Sequence, residues 1–169
     1  MSSIFKEQIV KRRPTFKDKL MSVGLIGGAL FIGFLGLFNA GFLGPIIFAA
    51  VAFGAWFLMS FLKREYEYAF TDGELDIDVI YNRSRRKRLF TARVNDIEIM
   101  AHVEDQTHMG AFQGAQDIRD YSSGVVGNDT YAFLLNHNGK RTKVIIEPNA
   151  VMLKAMATVL TRRRLHVKL

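Results

Sequence analysis

The chain has 169 residues, 49% of them hydrophobic, with 23 Lys plus Arg against 16 Asp plus Glu and no Cys. That length holds about one ordinary domain and excludes a large multidomain enzyme. Without Cys there is no disulfide framework, thiolate zinc site or cysteine nucleophile, and nothing points to an oxidising compartment.

At the start, Ile4, Phe5, Ile9 and Val10 recur at roughly helical spacing among Lys6, Lys11, Arg12 and Arg13, and Pro14 ends the pattern. Residues 1–19 therefore read as a basic amphipathic segment containing a short interfacial helix. Lys11, Arg12 and Arg13 would anchor it to an anionic leaflet, at about 1 kcal/mol per cation. A basic segment beside apolar spans points to lipid and not to nucleic acid.

From Leu20 to Leu62 there is no Asp, Glu, Lys, Arg or His. A bilayer core of about 30 Å takes about 20 helical residues, so the stretch suits two crossings. Asn39, Ala40, Gly41, Gly44 and Pro45 suit a tight turn between spans over Leu20–Phe38 and Pro45–Leu62, with Pro45 in the first turn of the second helix. Cations flank both outer ends and the turn has none, which places both termini in the cytoplasm of a multi-pass cell-membrane protein. A cleaved signal peptide fits less well, because Phe38 and Ala40 make a poor cleavage site and a second span follows at once. No ionisable group lies inside the spans, which argues against an ion pump. Gly24 with Gly28, Ala29 with Gly33 and Ala50 with Gly54 form small-xxx-small pairs that suit packing of the hairpin on itself, or homo-oligomerisation through the same faces.

Residues 63–169 read as a cytoplasmic, mainly-β domain. Tyr66, Tyr68 and Phe70, then Leu75, Ile77, Val79 and Tyr81, alternate with polar residues, and Asp72-Gly73 signals a two-residue hairpin. The opposite face gathers Glu65, Glu67, Glu74, Asp76 and Asp78. Carboxylates two apart on a strand splay about 7 Å, so this is a solvated or salt-bridged face and not a metal site. Its partners would come from Arg83, Arg85, Arg86, Lys87 and Arg88. A three-residue turn at 82–84 sets Arg88 opposite Asp78 and Ile77 opposite Leu89.

Ile97, Ile99 and Ala101 read as a fourth strand, Ile118 to Ser122 as a short one, and Tyr131, Phe133 and Leu135 as a later one. Asn138-Gly139 then turns into Lys140–Glu147, pairing Phe133 with Val144 and Tyr131 with Ile146. Met152, Leu153, Met156, Val159 and Leu160 share one helical face behind an Asn149 N-cap, and Arg162, Arg163 and Arg164 close that helix. Between His102 and Thr130 a glycine-containing stretch carries His108, Asp117, Asp120, Tyr121, Ser122 and Ser123. It has no nucleophile elbow, helical metal pair or phosphate-cradling loop, and reads as a loop closing one end of a small barrel.

Seven candidate strands followed by one capping helix resemble the pleckstrin-homology (PH) superfold, as a partly open seven-stranded barrel. Two spans ahead of it resemble the bacterial PH-like membrane proteins. More narrowly, Tyr66 to Phe70, the run Gly73 to Asp78, Arg85 to Arg88, Asp120-Tyr121-Ser122-Ser123-Gly124, and Glu147-Pro148 before Met152-Leu153 are similar to a family of two-span proteins from Gram-positive bacteria. The likeness covers nearly the whole chain and implies the fold; the family brings no activity or cofactor with it. The first hairpin loop, Asp72-Gly73, lacks the long basic loop of phosphoinositide-binding relatives in eukaryotes, so that mode of recognition does not transfer.

The sequence thus leads to a non-enzymatic membrane scaffold or protein-interaction module. The alternative is an anionic-lipid module using Arg83, Arg85, Arg86, Lys87, Arg88, Arg93 and Arg162 to Arg164. A third reading, a membrane-bound hydrolase, would use Asp120, Ser123 and a His.

Overall fold

The computed structural model describes residues 5–160 together with Leu165 and His166. They divide into two compact units. One holds the chain up to Arg13, Glu65–Ile80 and the residues from Arg86 onward; the other holds Pro14–Arg64 with Tyr81–Arg85.

The second unit is a helical hairpin. Helix α1 (Phe16–Asn39) starts where Thr15 meets Asp18, whose Oδ2 accepts both the Thr15 main-chain N–H and its hydroxyl at 2.9 Å. This satisfies donors that the first turn leaves unpaired. A 3-10 turn (Gly41–Leu43) leads into α2 (Gly44–Ser60), with Pro45 in its first turn as expected. Both helices are long and apolar enough to cross a membrane, and only 6% of the most apolar stretch of each is buried. Core helices of a soluble protein bury their apolar faces; here Phe31, Phe38, Phe42, Phe53 and Trp56 are all exposed.

Of the small residues singled out for packing, Gly33 meets the other helix. A Cβ there would come within 2.5 Å of the Phe48 ring. Gly24, Gly28 and Gly54 have nothing within 4 Å, and Ala50 is exposed. Ala29, one helical turn before Gly33, is half-buried. The tight approaches lie nearer the turn, at Gly36 against Ile47 and at Gly44, where a Cβ would sit 2.8 Å from the Leu37 Cα. Close backbone contact is therefore confined to the turn end, and the Gly24–Gly28 pair nearer the start of α1 has open space around it.

The first unit is built from two sheets. Residues 5–11 form a strand, not the expected interfacial helix: β1 (Phe5–Lys11) pairs antiparallel with β2 (Arg64–Thr71), from Phe5↔Thr71 to Lys11↔Glu65. The sheet continues through β3 (Glu74–Tyr81) to β4 (Arg85–Arg93). The second sheet has the order β6-β8-β7-β5-β9, with β5 (Ile97–His102), β6 (Asp117–Asp120), β7 (Tyr131–His137), β8 (Lys140–Ile146) and the two-residue β9 (Leu165–His166). Two sheets thus replace a single seven-stranded barrel, and there is no closed barrel. Helix α3 (Ala150–Val159) buries Met152, Leu153 and Met156, and Asn149 Oδ1 caps it by accepting the Met152 N–H at 2.8 Å.

Turn chemistry sets the registers. Asp72 and Gly73, and likewise Asn138 and Gly139, all have positive φ, the conformation of two-residue hairpins whose twist matches that of the strands. Phe133 faces Val144 and Tyr131 faces Ile146 as expected. Tyr66, Tyr68, Phe70, Leu75, Ile77 and Val79 are all buried, so the first hairpin keeps one apolar face. The third turn occupies residues 82–84 between β3 and β4, as expected, with Asn82 and Arg83 at positive φ and the Ser84 N–H on the Tyr81 carbonyl. Further along β4, Phe90 and Ala92 are buried and Leu89 is only half-buried, so the residue expected to face Ile77 is not the one in the core.

The stretch after β5 does not close a barrel end. Its Phe112 packs with Ala101, Ala132 and Leu134 on the second face of the β7 sheet. Every residue from Tyr131 to Leu135 is buried as a result, on both faces of the strand.

β1 and β2 bracket the hairpin, so the β unit is incomplete without residues 5–13. A chain with a short flexible linker from Arg13 to Glu65 in place of the helices should fold as a cooperative unit. Residues 63–169 alone lose Val10 and both Gln8 hydrogen bonds, and should be less stable by roughly 2 kcal/mol or more, at about 1 kcal/mol for each hydrogen bond. Chemical denaturation of the two chains measures the difference.

Candidate functional site

The basic run on β4 divides by partner. Arg86 Nη2 donates to Glu67 Oε1 at 2.8 Å, and Arg88 reaches Asp78 and Asp76, each at 3.0 Å. Thr91 adds a 2.6 Å bond to Asp76. Glu67 and Asp78 are 6% and 9% exposed, so these arginines act as internal counter-ions for buried carboxylates. The hydrogen bond to Asp78 raises the pKa of Arg88 above its ordinary value. Arg85, Lys87 and Arg93 are exposed and have no ion-pair partner among the described residues. Arg162, Arg163 and Arg164 lie outside the described residues.

The three cations proposed as membrane anchors also separate. Lys11 stands across the ladder from Glu65. Arg12 Nη1 donates to the Tyr66 hydroxyl at 2.8 Å, with the guanidinium over the same ring. Arg13 is exposed, and its main-chain N–H donates to the Ser123 carbonyl at 2.8 Å.

A different cluster forms at the open end of the hairpin unit. The Asn82 N–H bonds the Lys63 carbonyl at 3.2 Å, and the Arg64 guanidinium lies over the Tyr81 ring. The β3–β4 turn is thereby tied to the end of α2. The unit contains Lys17, Lys19, Lys63, Arg64, Arg83 and Arg85, all exposed, and a single acid, Asp18, which caps α1. Six cations collect at one end of an apolar hairpin that carries no charge elsewhere. Lys63, Arg64 and the turn are distant in sequence from Lys17 and Lys19, and spacing alone could not show that they share a unit.

The residues of the third reading are brought together as a structural joint. Tyr68 donates its hydroxyl to the Tyr121 carbonyl at 2.6 Å and accepts the Glu147 N–H at 3.3 Å. Ser123 Oγ donates to Glu147 Oε1 at 2.8 Å, while Asp120 Oδ1 accepts the N–H and the hydroxyl of Ser122. From β1, Gln8 Nε2 donates to the Glu147 carbonyl and Gln8 Oε1 accepts the Asn149 N–H. Burial raises the pKa of Tyr68 well above the usual phenol value. The joint holds no His: His102 bonds the Gly127 carbonyl, and His108 bonds Asp105 and stacks on His166. The hydrogen bond from His108 lowers the pKa of Asp105. Among the described residues no group of three or more His, Asp or Glu is placed to hold a metal.

A mainly-β unit of two sheets with the helix α3, and two helices long and apolar enough to cross a membrane, are consistent with a PH-like fold carrying candidate membrane spans. The chain belongs to the bacterial PH-like domain family DUF6106, a domain of unknown function whose sequence model matches residues 2–165. No curated protein and no solved structure matches it.

Arg86→Ala leaves the Glu67 carboxylate buried without this partner and should destabilise the β unit by roughly 1–3 kcal/mol. Lys87→Ala should stay within about 0.5 kcal/mol of wild type; denaturant midpoints of the two variants separate structural from free cations. Tyr68→Phe should cost about 1–3 kcal/mol through the lost acceptor and donor. A phenol whose folded pKa is raised contributes stability that is intact below about pH 10 and lost as pH rises beyond it. Wild-type stability should therefore fall with pH above 10, and Tyr68→Phe should lower that slope by about 1.4 kcal/mol per pH unit.

Proposed function

We propose that this is a non-enzymatic integral membrane protein, a scaffold or binding module that presents its PH-like unit at the cytoplasmic face, with the six-cation cluster engaging anionic lipid headgroups. The distribution of charge in the hairpin unit carries this reading. Two helices with exposed apolar surfaces end in exposed cations with one acid in the same unit, a local excess of positive charge that anionic headgroups would complement. The register of β1 with β2 supports it independently of charge. Strands on either side of the hairpin can pair only when both ends of the hairpin lie on the same side of the bilayer. The positive-inside rule then makes that side cytoplasmic. The non-enzymatic reading is supported by Ser123, whose hydroxyl bonds the Glu147 carboxylate and not the imidazole that the hydrolase reading needs.

Two measurements test this. In the cysteine-free chain, Phe42→Cys should react with an impermeant thiol reagent in intact cells, and Asn138→Cys only after lysis; the reverse pattern inverts the topology. In reconstituted vesicles, association with brominated anionic lipid should exceed that with the neutral analogue. Replacing Arg64, Arg83 and Arg85 by Ala should weaken the preference about fivefold per cation, the equivalent of about 1 kcal/mol each. Equal association with both lipids would remove the headgroup assignment.

A further inference from the structure

β1 is the outermost strand of its sheet, and its far edge is open. Among the described residues no strand pairs there, and no main-chain group of residues 5–11 bonds a turn or loop. Natural edge strands that avoid pairing with other chains are short, interrupted by proline or lined with like charges. At seven residues β1 is of ordinary strand length, and it holds no proline. Its covered face is engaged, with Val10 buried and Gln8 bonded to Glu147 and Asn149. Its other face presents Phe5, Glu7, Ile9 and Lys11 in alternation, all exposed, with the two apolar side chains at 51% and 54%.

The order of those side chains identifies the occupant. A second copy of β1, laid antiparallel on the open edge, keeps its exposed face on the exposed side only if Phe5, Glu7, Ile9 and Lys11 pair among themselves. Centred on Ile9, the pairing sets Ile9 against its own counterpart, Glu7 against the copy's Lys11, and Lys11 against the copy's Glu7. One apolar contact is then flanked by two ion pairs, and both charges of the face are matched. A centre at Glu7 or Lys11 opposes like charges, and a centre at Gln8 or Val10 sets Ile9 against Glu7 or Lys11. The opposite edge of the sheet behaves differently. The same operation on β4 about Leu89 sets Arg85 against Arg93, so β4 repels its copy where β1 complements its own.

We infer that the outer edge of β1 is a self-association surface, on which two chains join their sheets through a two-fold β1–β1 ladder over residues 7–11. The contact is isologous, because each chain gives and receives the same pairs. It lies within the β unit and depends neither on the small-residue faces of the helices nor on the headgroup assignment of the cations.

The absence of cysteine makes the register testable. Full-length chains with one cysteine at position 7, 9 or 11 are reconstituted in vesicles and treated with a mild oxidant. Directly opposed residues of an antiparallel pair have Cα atoms about 4.5 or 5.5 Å apart, and both distances suit a disulfide. Ile9→Cys should therefore form a covalent dimer. Glu7→Cys alone and Lys11→Cys alone should not, since each lies about 13 Å along the strands from its own counterpart; the two chains co-expressed should join to each other. Equal crosslinking of all three single variants would mean random collision and overturns the ladder. A chain that is dimeric by mass but does not crosslink at position 9 is joined elsewhere, and a monomeric chain is not joined at all; either result overturns the inference. Glu7→Lys tests the charge pairing. Glu7 faces Ala69 within its own sheet, so this substitution opposes no charge across the chain's own ladder. In the Ile9→Cys background it should lower dimer formation about tenfold, through two opposed like-charge pairs. An unchanged yield overturns the register.

Discussion

The β1–β2 ladder is the constraint on which the rest of the structure depends. It joins Phe5 to Thr71 and Lys11 to Glu65 across an intervening hairpin of some fifty residues, so the helices are an insertion within a β-hairpin and not a leader placed before a domain. Pairing at this separation carries a large loop-closure cost in the unfolded chain. Here that cost is reduced because α1 and α2 return upon each other. Gly33, Gly36 and Gly44 let the helices approach near the turn, which brings the two ends of the insertion back together where the strands begin. Helix packing and strand pairing therefore support each other through chain continuity.

The ladder also fixes the joint around Tyr68. Gln8 reaches from β1 to Glu147 and Asn149, Arg13 reaches to Ser123, and Tyr68 bridges Tyr121 and Glu147. Asp120 to Gly124 and Glu147-Pro148, on which the resemblance in sequence rested, thus serve geometry. They lock the end of β8, the start of α3 and the 121–127 loop onto the strand that leads into the first helix. A serine beside an aspartate and a glutamate suggests chemistry when read along the chain. In three dimensions the Ser123 hydroxyl, Asp120 Oδ1 and Glu147 Oε1 already have partners.

Elements governed by local rules were legible in the sequence. Asp72-Gly73 and Asn138-Gly139 dictate positive φ at both central positions, and the β7–β8 register follows from the second of these turns. The Asn149 cap and the buried face of α3 follow the same logic. Elements governed by distant partners were not. β1 buries only Val10 and leaves Phe5 and Ile9 exposed, so no alternation announces a strand, and the spacing of its apolar residues imitates a helix. β7 is covered on its second face by a segment whose packing residue, Phe112, has no sequence signature, which erases the period of two at Ala132 and Leu134. Which residues of β4 reach the core was not legible from the turn, since Phe90 and Ala92 are buried and Leu89 is only half-buried. The basic cluster divided between counter-ions and exposed charges in a way that only the folded strands decide.

The bracketing of the helices bears on how the protein is made. β1 is synthesised before the helices and its partner β2 after them, so the strand stays unpaired until both helices have been made. On the proposed reading, a nascent chain that inserts one helix and fails with the other leaves β1 and β2 on opposite sides of the bilayer, where no ladder can form. The apolar face of Tyr66, Tyr68 and Phe70 then remains open to chaperones and proteases. On that reading, completion of the β1–β2 ladder would report that both helices have inserted.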